Sequence, residues 1–211
     1  MRTLVIDSAT EACSVALFEE DTLIGSDYRV LGRGHAELLI PMVAALPGKG
    51  KADRIVVSLG PGSFTGVRVG LAAARGLALA WKVEALGYPS LALIAAMARA
   101  ERSAQSVTVV MTGGHGEWFV QPFDAEGAGL AELESLTPDD AARFVTSRLV
   151  TGTQAAALVA ARGNGEALAL LPDARQFPLL PTHFLTPDLT PHYGRPPDAR
   201  LPSARLVQGT V

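Results

Sequence analysis

Two stretches of this 211-residue chain place polar groups where metal, phosphate or nucleophile chemistry could occur. The first is Asp7-Ser8-Ala9-Thr10, a carboxylate followed by hydroxyls at the end of an apolar run. Such a position suits contact with a metal or a phosphate. The alternative is a turn in which Asp7 bonds its own backbone. The second is Gly60-Pro61-Gly62-Ser63-Phe64-Thr65-Gly66, a glycine-rich turn between an apolar run and a helical pattern. Free backbone N–H groups at a helix start can cradle a phosphate. The phosphate-loop spacing fails, however: it needs glycine and then lysine where Thr65 and Gly66 stand. The nucleophile-elbow pattern fails too, because Pro61 and Thr65 flank Ser63 where glycines are required. A structural turn that exploits the backbone freedom of glycine is the plain reading.

The remaining reactive side chains are few. Cys13 sits in the apolar run ACSVALF and reads as a small core residue rather than a nucleophile. A lone cysteine makes no internal disulfide, which points to a reducing cytoplasm. His35, His115, His183 and His192 lack the spacing of a helical metal pair, and there is no cysteine pair. No metal site and no catalytic residue is expected.

The elements that must position these groups follow from periodicity. Residues 3–7, 13–18 and 22–30 read as strands joined by tight turns, an antiparallel meander. Apolar residues at 38, 39, 42, 43 and 46 have helical spacing, and Pro47-Gly48 stops that helix. A buried strand at 54–59 leads into the glycine-rich turn, and a helix follows to about Lys82. Residues 83–86 suit a short strand, and Ser90 suits the N-cap of a helix to about Arg102. A similar order begins at Val107: strands at 107–111 and 117–123, a helix start at Thr137-Pro138-Asp139-Asp140, a strand at 148–151 and a helix at 154–162. The expectation is a pseudo-duplicated α/β protein with units 1–102 and 103–211 and a boundary near 102–106. From Pro172 the chain is proline-rich, with Pro187, Pro191, Pro196, Pro197 and Pro202, and is expected to lie extended on the surface.

The helix after the turn carries the most information. At 100° per residue, Val67, Leu71, Ala74, Ala78 and Trp81 share one face, and Val69, Ala73, Gly76 and Ala80 share another. Arg68, Arg75 and Lys82 form a basic stripe between them. Gly70 and Gly76 each cost about 1 kcal/mol relative to alanine inside a helix. Close approach of another helix, from this chain or from a partner, would offset that cost.

Nearly half the residues are hydrophobic, so a substantial core is expected and global disorder is not. A net charge of −3 gives no sign of wholesale nucleic-acid binding. The start MRTLVIDSAT reaches Asp7 too early for a signal peptide, and Arg68 and Arg75 interrupt the longest apolar stretch. A soluble cytoplasmic protein without a membrane segment is expected.

Taken together, LVIDSAT (4–10), GHAELLIPM (34–42) and GPGSFTGVRVGLAAARGLALA (60–80) resemble the bacterial TsaB (YeaZ) family of subunits for tRNA threonylcarbamoyladenosine biosynthesis. Tyr-Pro-Ser-Leu at 88–91 and Pro-x-Tyr-x-Arg at 191–195 also match. The resemblance implies an actin-like ATPase-type (ASKHA) fold of two RNase H-like βββαβα halves. It implies a noncatalytic scaffold for the catalytic subunit TsaD, joined by the small ATPase TsaE, with tRNA as an indirect partner. The docking helices would be 36–46, with His35, Leu38, Leu39 and Met42, and 67–82, with Val69, Gly70, Ala73, Gly76, Leu77 and Ala80. The same helices could form a homodimer. ATP or ADP could be held at the partner interface, and the candidates for nucleotide contact are Asp7, Thr10, Gly60, Gly62, Ser63, Thr65 and Arg68. The other readings are a metal-dependent glycoprotease-like enzyme and an actin-like ATP-binding kinase. Two departures stand out. Where the family carries Asp-Ala-Arg-x-Gly-Glu, this chain has Thr112 to Glu117 and keeps only Gly116 and Glu117. The connection between the 36–46 helix and the strand at 54 is also short.

Overall fold

The computed structural model describes residues 1–103 and 106–194. The expected boundary near 102–106 falls partly, and the proline-rich end with Arg195, Pro196, Pro197 and Pro202 wholly, outside the described residues.

The first half opens with β1 (Arg2–Asp7), β2 (Ala12–Glu19) and β3 (Thr22–Val30), the meander that the tight turns require. Then come α1 (His35–Ala45), β4 (Arg54–Ser58), α2 (Phe64–Trp81), β5 (Glu84–Tyr88) and α3 (Ser90–Arg102). β1 is antiparallel to β2, with Leu4 opposite Leu17, and parallel to β4, with Leu4 opposite Ile55. The sheet order is β3-β2-β1-β4-β5. β1 and β4 lie centrally and are buried on both faces, as their unbroken apolar runs demand.

The second half repeats this plan with β6 (Val107–Thr112), β7 (Trp118–Phe123), β8 (Glu134–Leu136), α4 (Pro138–Phe144), β9 (Leu149–Thr151), α5 (Ala155–Arg162) and β10 (Glu166–Leu168). Its sheet order, β10-β9-β6-β7-β8, is the first order read from the other edge. Each half is therefore RNase H-like, and together they make the actin-like α/β fold. Thr137 caps α4 as expected, accepting the Asp140 N–H at 3.2 Å. Ser90 does not cap α3: Pro89 holds that position, while Ser90 is buried inside the helix and bonded to the Ser58 hydroxyl.

α3 joins the halves. Leu91, Leu93 and Ile94 are fully buried, in a core that takes Val5, Val56 and Tyr88 from one half and Val107, Phe119 and Phe123 from the other. Each such leucine or isoleucine contributes roughly 1.5–3 kcal/mol by leaving water. The chain then doubles back. Ala174 N–H donates to Ser14 Oγ at 3.0 Å, and Thr186 exchanges two backbone hydrogen bonds with Gly87. Residues 174–194 thus return to the first half, although they follow the second in sequence.

Candidate functional site

The two polar stretches singled out in the sequence meet. Ser63 N–H donates to Ala9 O at 2.6 Å, and the Ser8 hydroxyl donates to Gly66 O at 2.9 Å. This contact leaves no room for side chains. A Cβ on Gly62 would stand 2.0 Å from Ala9 O, and one on Gly66 would stand 2.1 Å from Ser8 O. One turn further along α2, a Cβ on Gly70 would stand 2.6 Å from Ser8 Oγ. Glycine at 62, 66 and 70 lets α2 lie directly on the end of β1. The offset for the helical Gly70 is therefore this internal contact and not another helix. Gly76 is different: among the described residues, a Cβ there would meet nothing within 4 Å.

Beside this seat a cleft of about 850 Å³ opens between the halves. Thr10, Glu11, Gly62, Ser63 and Arg68 line it from the first half, and Met111, Thr112, Gly113, Phe119 and Thr153 line it from the second. Tyr193, from the returning segment, completes the wall. Of the candidates for nucleotide contact, Thr10, Gly62, Ser63 and Arg68 come together here. Asp7, Gly60 and Thr65 are not part of the lining.

Asp7 fails to reach the cleft because its carboxylate faces the interior. It accepts from Ala9 N–H at 3.0 Å and from the Tyr88 hydroxyl at 2.8 Å, and Tyr88 is itself fully buried. Burial pushes the Asp7 carboxyl up to about 6, against the lowering effect of its hydrogen bonds. The bond to Ala9 is the turn reading of this motif. Gly60 is packed between His192 O and Val67, and Thr65 is exposed on the first turn of α2. At that helix start, the Ser63 hydroxyl accepts from Gly66 N–H at 3.2 Å. One N–H that could have met a phosphate is thereby taken.

Arg68 is also engaged. Its guanidinium lies 3.4 Å over the Phe64 ring, and its Nε donates to the Tyr193 hydroxyl at 2.9 Å. The Phe64 and Tyr193 rings are 5.1 Å apart. Arg75 donates to Leu189 O at 2.8 Å. Two of the three residues of the basic stripe thus hold the chain's own returning segment. Phe64, Tyr88, Met111 and Phe119 were not candidates in the sequence. The only local signal was an acid at a strand end that would need a buried donor, and nothing named Tyr88 as that donor.

The second surface is formed by α1 and α2. The inner face of α2 is as the helical wheel requires, with Val67, Leu71 and Ala74 buried. On α1, however, His35, Leu39 and Met42 are buried within this chain and Leu38 is half-buried. Their side chains serve the core, and the His35 ring nitrogen lies 3.4 Å from Ala12 O. The outward apolar residue of α1 is Ile40, 47% exposed. On α2, Gly70 is buried, and Val69, Ala73 and Leu77 are half-buried against a core that includes Leu39, Met42 and Val43 of α1. α1 therefore covers part of the face expected for a partner. Gly76 and Ala80 remain exposed, next to Leu79 at 82%.

Among the described residues, no three of His, Cys, Asp and Glu converge as metal ligands. No helix among them is long and apolar enough to cross a membrane.

Comparison with known proteins gives consistent matches. The family model described as TsaD, tRNA N6-adenosine threonylcarbamoyltransferase, matches residues 29–174. The tRNA threonylcarbamoyladenosine biosynthesis protein TsaB of Escherichia coli strain K12 is 34% identical over 135 residues, 62% of this chain and 58% of that protein. The TsaB of Bacillus subtilis strain 168 is 34% identical over 104 residues, 47% of this chain and 45% of that protein. The chain thus spans about half the length of the curated relatives it matches. A crystal structure from Pseudomonas aeruginosa, described as an uncharacterized protein with similarity to peptidase YEAZ, superposes with a TM-score of 0.73 at 30% identity. That match covers 85% of this chain and 89% of the other.

Proposed function

This chain belongs to the TsaB/YeaZ family, and on that premise we propose that it is a noncatalytic subunit in the formation of N6-threonylcarbamoyladenosine in tRNAs that read ANN codons. In this reading the outer face of α1 and α2 docks the catalytic threonylcarbamoyltransferase TsaD. The ATPase TsaE joins the same assembly, and tRNA is met through the partner. A homodimer would use the same face.

The observation that carries the reading is the outer end of α2. A single exposed leucine is ordinary on a protein surface. Leu79 is instead next to Ala80 and one turn from Gly76, a helical glycine whose Cβ would meet nothing within 4 Å among the described residues. Small residues around one large apolar side chain suit close contact with a second helix. The test is co-purification with the organism's threonylcarbamoyltransferase at micromolar concentration, followed by the variants Gly76→Leu and Leu79→Asp. Association lost in both variants, with thermal unfolding not lowered, is the expected result. Absence of association in the wild type, or undiminished affinity in the variants, rules the reading out.

One observation favours nucleotide binding as a second reading: Thr10, Gly62, Ser63 and Arg68 line the interlobe cleft together. Calorimetry with ATP and ADP on the isolated chain decides it, and only saturable micromolar binding would support it.

A further inference from the structure

Residues 186–194 run along the first half as a strap. Its upstream end is firmly held: Thr186 N–H donates to Gly87 O at 3.0 Å and Thr186 O accepts Gly87 N–H at 2.7 Å. The next turn is braced internally, because Asp188 accepts from the Thr190 N–H at 2.9 Å and from its hydroxyl at 2.6 Å. Leu189 packs against the core of the first half, and its carbonyl accepts from Arg75. His192 N–H donates to Leu59 O at 2.8 Å, and Tyr193 takes the bond from Arg68. At Gly194 the strap reaches the other half, where a Cβ would stand 2.5 Å from the Phe119 ring. The strap therefore crosses from α2 to β7 at the cleft that Tyr193 and Phe119 both line.

We propose that this strap is the gate of the interlobe cleft and that Arg75, which stands outside the cleft, helps to hold it shut. The strap is unequally attached: two paired backbone bonds hold it at Thr186, whereas downstream one backbone bond, from His192 to Leu59, stands beside the side-chain bonds from the two arginines. The bonds from Arg68 and Arg75 are solvent-exposed, so water replaces them at small net cost. The paired backbone bonds at Thr186 continue the edge of β5 and are not so readily exchanged. Opening therefore pivots near Thr186 and lifts Leu189 to Gly194. Both arginines belong to α2, so opening also frees two cations on the helix that carries Leu79. Whatever stabilises the open strap changes the charge presented by that helix, and the linkage is reciprocal.

Access to the cleft can be read without knowing its ligand. Thr153→Cys places a thiol in the lining. The native Cys13 stays silent, because it is buried and its thiol is pushed up to about 11. The probe is 5,5′-dithiobis(2-nitrobenzoate), with labelling of Thr153→Cys compared with and without Arg75→Ala. Arg75 does not line the cleft, so any acceleration must pass through the strap. The expected result is labelling about fivefold faster, together with faster hydrogen exchange at the His192 amide and unchanged exchange at Thr186. Equal labelling rates overturn the proposal. Faster labelling with unchanged His192 protection overturns it too, because the cleft would then open by another route.

Discussion

The two halves share a strand order but not a use of their helices. In each, a glycine-containing turn after the fourth strand packs on the last part of the first strand or the turn that follows it. Ser63 N–H reaches Ala9 O in one half, and Gln154 N–H reaches Val110 O in the other. In each, a Cβ on a turn glycine would strike this backbone, at Gly62, 2.0 Å from Ala9 O, in the first and at Gly152, 2.5 Å from Val110 O, in the second. The halves diverge beyond the turn. α2 has 18 residues and continues the glycine contact through Gly66 and Gly70, whereas α5 has 8 residues and no glycine. α1 has 11 residues and α4 has 7. The first strand also ends differently, in the buried acid Asp7 in one half and in the exposed Thr112 in the other. The strand order is common to both halves, while the longer helices and the buried acid at the end of the first strand belong to one of them.

That contrast can be broken at four places. The largest effect belongs to Gly66→Val, which drives a branched side chain into Ser8 O. A loss of about 3 kcal/mol or more in urea unfolding is expected, or outright failure to fold. A loss under about 1 kcal/mol would show that α2 does not depend on its seat.

Next comes the buried acid. Its carboxyl moves from the ordinary 3.8 to about 6 in the folded state, so the folded chain binds more protons than the unfolded one between those values. Stability from this group is fullest below about pH 4 and declines as pH rises to about 6, by on the order of 3 kcal/mol. Asp7→Asn keeps an acceptor for Ala9 N–H but carries no charge, so its stability curve should be flatter across that window. Parallel curves would remove Asp7 as the source. Thr112→Val, at the equivalent place in the second half, should leave the pH dependence unchanged.

Docking is the third. Leu79→Asp should weaken partner binding by about 2 kcal/mol, roughly thirtyfold, without loss of stability. Ala157→Asp on the exposed face of α5 should leave affinity unchanged. If both variants weaken binding alike, the two copies share the role.

The smallest effects separate two glycines of one helix. Gly76→Ala should raise stability by up to about 1 kcal/mol, the ordinary helical gain. Gly70→Ala should lower it, because its methyl group meets Ser8 Oγ. Chemical denaturation of the pair settles the sign, and a matching sign would mean that the internal seat is looser than the distances indicate.

Most of the scaffold was legible because burial leaves a period in the sequence. β1, β2 and β4 announce themselves as apolar runs, and α2 by a stripe at helical spacing. β8 and β10 did not, because each has only three residues and is largely exposed or half-buried, whereas the equally short β9 is buried throughout. The same logic explains why the α1 candidates turned inward. Helical spacing of large apolar side chains marks the face that meets the core, so Leu39 and Met42 were found and Ile40 was not. A docking face built of Gly76, Leu79 and Ala80 has no such signature. The cleft was illegible for another reason. Thr10, Arg68, Thr153 and Tyr193 meet only after both halves have folded and the chain has returned, and no local pattern encodes that meeting.

The return has a consequence for how the protein is made. Chains emerge from the ribosome at about 5–20 residues per second, so Gly87 is exposed roughly 5–20 s before Thr186 arrives to pair with it. During that interval the edge of the first sheet waits uncovered, and Ser14 waits for Ala174. The half that is synthesised first is thus among the last to be completed.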